Sequence, residues 1–300
     1  MDIVTTLFEG HYDKGVAALV NSLVQSSFKG KICIGYRGSL PSWVNQLQKT
    51  AKGYIVGDGI SVVFMLLDID MHFGYYKPSF MKKVIQEHPQ VSNIYYFDPD
   101  IVVTAPWHFI SSWTNIGVAV CLDNCFPMVH HNHPWRKEWQ KLADNNQKCE
   151  LNYYVNSGFI GIHKDSFILL NRWIAFTEKY KANKGDLSLF EKDGFRAFKG
   201  DQDLLNASMT VSSDLTFSII GTEGMGFTDP VYLMAHAVES VKPWKNNFIK
   251  QMVINGHKPS MAAKLFFNYC QNPIEIYTKS QLRLKKSNIK AASILGRIIG

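Results

Sequence analysis

The feature that most constrains this chain is the rhythm of its first sixty residues, where short β-prone runs alternate with segments of helical spacing. Residues 2–7 are β-prone, residues 8–14 are polar and include Gly10, and residues 15–25 carry Val16, Leu19, Val20, Leu23 and Val24 on one helical stripe. Residues 31–36 read as a second strand closed by Gly38 and Pro41, 42–49 as a helix, and 52–56 as a third short strand. A β-α-β-α-β alternation of this kind builds a doubly wound sheet, which takes ligands beyond the carboxyl ends of its strands. The expected fold class is α/β.

Further along, residues 76–88 read as a helix, 94–97 as a strand, 101–104 as extended chain, 117–122 as a strand, 159–163 as a strand, 167–180 as a helix and 202–208 as the start of another. Between them, residues 123–152 are polar and rich in His, Asn and Trp, the composition of an active-site loop region with one short helix. No repeat or low-complexity segment interrupts the pattern. Acidic residues disappear from residue 279 onward. A boundary is therefore expected between 261 and 279, dividing the chain into 1–260 and a C-terminal helical extension, 261–300.

Several function classes fall away on composition. The chain has 300 residues and five scattered cysteines, an odd set that suits reduced thiols and a cytosolic setting. Cys121 and Cys125 lack a second pair to complete a zinc site. The first seven residues do not read as a signal peptide, and the longest uncharged apolar run, 62–67, is far too short to cross a bilayer. The net charge of +7 invites an anionic partner. Nucleic acid is the poorer fit, because the basic residues are dispersed and concentrate only at the C-terminus, without a reader motif.

The strongest local chemical signal is Asp98-Pro99-Asp100, placed between two apolar strand-like runs. Two carboxylates one residue apart at a strand end can converge on a hard cation, Mn²⁺ or Mg²⁺, which bridges them to phosphate oxygens. Pro99 suits a turn leaving a strand, having a fixed φ and no N–H. Asp68-Ile69-Asp70 is a second triplet without such flanks. Far downstream, His236 can complete a carboxylate metal site and Lys242, six residues on, can meet a pyrophosphate.

Asp98-Pro99-Asp100 followed by His236 and Lys242-Pro243-Trp244 resembles the glycogenin-like, retaining glycosyltransferases of family 8. Three further blocks resemble that family in its own order. They are Thr5-Thr6-Leu7 with Tyr12 and Lys14-Gly15, Asn156-Ser157-Gly158, and Gly200-Asp201-Gln202 followed by Leu204-Leu205-Asn206. The resemblance covers roughly residues 2–245 and implies a GT-A fold, a Rossmann-like, doubly wound mixed sheet in one catalytic domain. It implies that Asp98, Asp100 and His236 hold the metal. It further implies that Thr5, Leu7 and Tyr12 hold the base, Tyr12 by stacking, and that Lys77 and Lys242 contact phosphates or donor. Asn156, Asp201 and Gln202 would face the transferred sugar, with Asp98 also counted among the donor-binding residues. Glu239 stands where the family usually has a glycine, so its side chain must point away from the diphosphate or change the donor contacts.

The implied reaction moves a sugar from a nucleotide-diphosphate donor, by default UDP-hexose, to a saccharide or lipid-linked acceptor, as in surface-polysaccharide synthesis. Cation and lysine would neutralise the departing phosphate. Asp201 is the only nameable nucleophile and Gln202 is a poor one, which favours same-face transfer with retention. Two other classes keep the fold without the chemistry: a non-catalytic membrane-associated scaffold and a nucleic-acid-binding protein. His130, His131 and His133 read as an exposed loop near the acceptor rather than a zinc site. Trp107, Trp113 and Trp135 are equally compatible with sugar stacking and with core packing. Finally, residues 279–300 carry six basic side chains and no acidic one, with Ala291, Ile294, Leu295, Ile298 and Ile299 at helical spacing. That pattern predicts an amphipathic helix holding the protein peripherally at the cytoplasmic face of an anionic membrane, or packing on the catalytic domain.

Overall fold

The computed structural model describes residues 1–143, 148–189, 197–198 and 200–298. Ile299 and Gly300 of the expected tail, and part of the 123–152 loop, lie outside them. The elements run β1 (Asp2–Glu9), α1 (Asp13–Gln25), β2 (Gly30–Arg37), β3 (Gln48–Thr50), β4 (Gly53–Ile55), β5 (Ile60–Leu66), α2 (Phe73–Glu87), β6 (Asn93–Phe97), β7 (Ile101–Val103), α3 (Trp107–Trp113) and β8 (Val118–Cys121). They continue with α4 (Pro134–Leu142), β9 (Phe159–His163), α5 (Ile168–Ala182), α6 (Asp201–Thr210), β10 (Phe217–Ile220), β11 (Met234–His236), α7 (Phe248–Asn255), α8 (Met261–Phe266) and α9 (Lys279–Ile298).

Nine of the described strands form one sheet in the order β10-β8-β9-β6-β1-β2-β5-β4-β3. Strands β6, β1, β2 and β5 run parallel, and β9 lies antiparallel between β6 and β8. The expected α/β doubly wound mixed sheet is present. Its central strands β1, β2 and β6 are buried along most of their length because helices cover both faces: α2, α5 and α6 pack on one, α1 and α3 on the other. At β1 the two faces separate residue by residue, with Ile3 and Leu7 in one core and Val4 and Phe8 in the other.

The third strand of the opening pattern differs from the expectation. Residues 42–49 do not form an α-helix: Ser42–Gln46 is a short 3-10 turn entered through Pro41. Residues 48–55 are an antiparallel hairpin at the sheet edge, and the third parallel strand is β5. The run Ile60–Leu66 is a nearly continuous apolar stretch without the alternation that marks a half-exposed strand, and it is covered at its start, where Ile60 and Val62 are buried, and open at its end, where Leu66 is 64% exposed.

The tail also differs in part. The helix α9 exists, but Leu282, Ile289 and Ala292 are buried and Leu295 packs with them on a core shared with α7, α8 and Ala18 of α1. Ile294 and Ile298 remain exposed. The apolar side chains of α9 therefore occupy two stripes, of which only one is free. No helix among the described residues is long and apolar enough to cross a membrane.

Candidate active site

The turn after β6 sets the site. Asp98 leaves the strand, Pro99 turns the chain, and the Ile101 N–H donates to the Asp98 carbonyl at 3.1 Å before β7 begins. Helix α1 closes on this turn, and only a glycine fits the approach. A Cβ on Gly15 would lie 2.1 Å from the Pro99 carbonyl oxygen and 2.7 Å from the Trp244 ring.

His236 arrives through pairing that local sequence does not reveal. Strand β11 runs antiparallel to β7 with His236 opposite Ile101, and the Ala237 N–H donates to the Asp100 carbonyl at 3.1 Å. As a result His236 Nε2 stands 3.2 Å from Asp100 Oδ1 and 3.8 Å from Asp98 Oδ2. Ligand atoms of all three residues lie within 4.8 Å of one another, the one such cluster among the described residues. Two carboxylates and an imidazole nitrogen are a donor set for Mn²⁺ or Mg²⁺. The separations of 3.2 and 3.8 Å, within a cluster no wider than 4.8 Å, are small enough for the three groups to share one cation. Gly158 leaves room for the imidazole, since a Cβ there would meet His236 Cε1 at 2.5 Å. The residues fit the cation.

Two lysines flank the cluster. Lys242 Nζ lies 2.8 Å from Asp100 Oδ2 and donates to the Ala237 carbonyl at 2.8 Å. Burial pushes the Asp100 carboxyl up, but His236 and Lys242 outweigh it and hold that group well below the usual carboxylate range. Lys77, on α2, reaches Asp98 Oδ1 at 3.0 Å and Asp201 Oδ2 at 2.8 Å, and donates to the Ser157 carbonyl at 3.1 Å. Burial alone would lower the Lys77 pKa, whereas Asp201 and Asp98 together raise it. For Asp201, burial raises the pKa, and Lys77, Ser157 and His72 together more than cancel that, leaving it lowered.

Asp201 and Gln202 open α6, where a carboxylate also meets the positive end of the helix dipole. Asp201 Oδ2 accepts from Ser157 Oγ at 2.8 Å, and Gln202 Oε1 accepts from the Ser157 N–H at 3.3 Å. Asn206, one turn further on, accepts from the Val155 N–H and donates to its carbonyl, so α6 is tied to the segment before β9 by a side-chain amide that imitates a strand. Asn156 is fixed in turn, its Oδ1 accepting from the Gly158 N–H and its Nδ2 donating to Asp123 Oδ1 at 3.1 Å.

Leu7, Tyr12, Lys77, Asp98, Asp100, Asn156, Asp201, Gln202, His236 and Lys242 all line one cleft of about 730 Å³, within the range that holds a cofactor-sized ligand. Tyr12 stands edge-on to Trp244 with Lys242 Nζ 6.0 Å from its ring centre. Thr5 is the exception: it is fully buried and its hydroxyl donates to the Tyr95 carbonyl inside the sheet. Asp68 and Asp70 are exposed and stand outside the cleft, as does Glu239. Sequence reasoning missed Asp123, Ser157, Tyr154 and Asp203. Asp123 carried the same signal as Asp98, a carboxylate directly after an apolar strand. Tyr154, whose hydroxyl donates to Asp203 Oδ1 at 2.6 Å, had no signal of its own.

No protein-family model matches the sequence, and no curated protein matches it. Solved structures do. The chain is similar to the apo structure of WbbM, a bifunctional glycosyltransferase, at 17% identity and TM-score 0.57, over 95% of this chain and 51% of that one. It is also similar to the galactosyltransferase LgtC in complex with donor and acceptor sugar analogues, at 15% identity and TM-score 0.50, over 95% of this chain and 100% of that one. The chain thus spans about half the length of WbbM and the whole of LgtC. At these identities the likeness establishes the fold, which is GT-A.

Proposed function

We propose that this chain is a metal-dependent glycosyltransferase of the glycogenin-like retaining family, moving a hexose from UDP-hexose to a saccharide or lipid-linked acceptor. The observation that carries the reading is the meeting of Asp98, Asp100 and His236 with Lys242, Lys77, Asp201 and Gln202 in one cleft of a GT-A fold. Asp98, Asp100 and His236 hold Mn²⁺ or Mg²⁺, which when bound supplies positive charge to the departing diphosphate. Lys242 leaves Asp100 for the phosphates, and Tyr12 and Leu7 border the base. Asn156, Asp201 and Gln202 orient the hexose.

Retention is carried by the resemblance to the glycogenin-like family, and the state of Asp201 bears on the route by which it is reached. Its carboxylate is tied to Lys77 and Ser157 at 2.8 Å each, which weakens it as a nucleophile, and Gln202 is a weaker one still. The acceptor hydroxyl therefore enters on the face from which the diphosphate leaves, its proton passing to the departing phosphate oxygen. In this reading residues 1–260 carry the chemistry and 261–300 the attachment. Ile294 and Ile298 of α9, exposed beside Lys290 and Arg297, face an anionic membrane at the cytoplasmic side.

The test is donor hydrolysis and thermal shift across a nucleotide-sugar panel, with Mn²⁺ and with excess chelator. A Mn²⁺-dependent response to UDP-hexose that disappears in Asp100→Ala is expected. Equal turnover in chelator, or an undiminished Asp100→Ala variant, overturns the assignment.

A further inference from the structure

We propose that Phe126 and Trp135 form an aromatic platform at the cleft that takes one face of a neutral pyranose, the acceptor sugar. The proposal rests on the glycosyltransferase reading and names a subsite within it. Trp107 and Trp113 belong to the core, and their indole N–H groups are spent on Asp2 and Ser218. Trp135 instead lines the cleft, and beside it Phe126 leaves 56% of its surface in solvent. A large ring held out in water at the mouth of a functional cleft marks a binding surface. The two rings meet edge to face, centres 6.1 Å apart at 73°, and Trp135 is backed by the core beneath it.

Both rings are anchored. Asp123 Oδ2 accepts from the N–H groups of Cys125 and Phe126 at 2.9 and 3.0 Å, which pins the turn that presents Phe126. The other oxygen of that carboxylate holds Asn156, on the donor-sugar side. Trp135 follows Pro134 at the start of α4, where His133 caps the helix and stacks edge-on against the indole at 4.8 Å. The next residue, Arg136, is fully buried, and its Nε donates to the Val129 carbonyl at 2.9 Å and its Nη1 to Thr210 Oγ1 at 2.6 Å. Arg136 thereby fastens the platform loop to α6, the helix that opens with Asp201 and Gln202. Arg136 is a positioning residue here.

The chemistry around the rings selects the ligand class. A pyranose offers one face rich in C–H bonds, which lies on an aromatic ring, and hydroxyls at its edge, which need acceptors. Asp123 lines the same cleft as the rings, and its Oδ1, which accepts from Asn156, has a second lone pair for a sugar hydroxyl, while Asp203 adds negative charge to the same wall. Two carboxylates also disfavour an acidic sugar.

The experiment measures binding of methyl β-glycosides of glucose, galactose, mannose, N-acetylglucosamine and glucuronic acid by calorimetry, to protein loaded with Mn²⁺ and UDP. At least one neutral glycoside should bind and the glucuronide should not. Phe126→Ala and Trp135→Ala should each weaken that glycoside at least tenfold, Trp135→Phe should recover most of the loss, and the Kd of Mn²⁺–UDP should move less than twofold. Because Phe126 is exposed, Phe126→Ala decides the matter if Trp135→Ala fails to fold. Wild-type protein that binds Mn²⁺–UDP but no neutral glycoside, or aromatic variants that bind one as tightly as wild type, overturns the platform. Failure of wild type to bind Mn²⁺–UDP sinks the glycosyltransferase reading instead.

Discussion

Replacing Lys77 by methionine tests the electrostatic frame of the site directly. Methionine keeps most of the side-chain volume and removes the charge that lies 3.0 Å from Asp98 and 2.8 Å from Asp201. Asp98 retains some solvent and the Tyr96 hydroxyl at 3.0 Å. Asp201 is almost fully buried and, among the described residues, keeps Ser157 Oγ at its paired oxygen. Breaking a buried pair from one side costs about 3–5 kcal/mol, because the other charge stays behind. Adding Asp201→Asn to Lys77→Met removes the orphaned charge and should return most of that loss, a coupling a double-mutant cycle reads out. Urea unfolding in chelator, which keeps added metal out of the cycle, is the assay.

The pH dependence has a definite sign. The folded pKa of Asp201 is lowered, so its contribution is complete above the ordinary carboxylate value near ~4 and fades as pH falls through the folded value. The folded pKa of Lys77 is raised, so its contribution is complete below about 10.4 and fades as pH rises through the folded value. The margin of wild type over Lys77→Met should therefore be widest between about pH 5 and 10. A Lys77→Met loss under about 1 kcal/mol, or a double variant no more stable than Lys77→Met, would refute the frame, since a surface ion pair gives a loss of that size.

Gly158→Ala should weaken Mn²⁺ binding at least tenfold by titration, because the added methyl would stand 2.5 Å from His236 Cε1 and push the imidazole off the carboxylates. Asp70→Ala should leave Mn²⁺ affinity unchanged in the same titration, its side chain being exposed and outside the cleft. Proton magnetic resonance of the first product formed from an α-linked donor should show an α linkage; a β linkage refutes same-face transfer. Ile294→Glu with Ile298→Glu should abolish sedimentation with anionic vesicles at low salt while leaving the melting temperature unchanged, since both side chains are exposed. Equal sedimentation of variant and wild type would remove the membrane from the picture.

The sequence by itself determined what depends on near neighbours. The stripe of Val16, Leu19, Val20 and Leu23 gave α1, and Asp98-Pro99-Asp100 showed a carboxylate pair at a strand end because both the strand and the turn are written within eight residues. The identity of the partners was legible only as types: a histidine far downstream, a lysine after it, an acid and an amide at a helix start. Tertiary structure decided which of them meet. His236 reaches Asp100 because β11 pairs with β7, and Lys77 bridges Asp98 and Asp201 because α2 and α6 share one core over the sheet. No periodicity encodes either event. The same holds for the rings and the tail. Trp107, Trp113 and Trp135 are alike in sequence, and only the packing of α3 against the sheet and of α4 beside the cleft buries two indoles and leaves one partly buried at the cleft wall. The apolar residues of α9 show a helix but not its environment, since Leu295 and Ile298 are equally hydrophobic. One is covered by the core of α7 and α8 and the other is left in water by the angle at which the helix happens to dock.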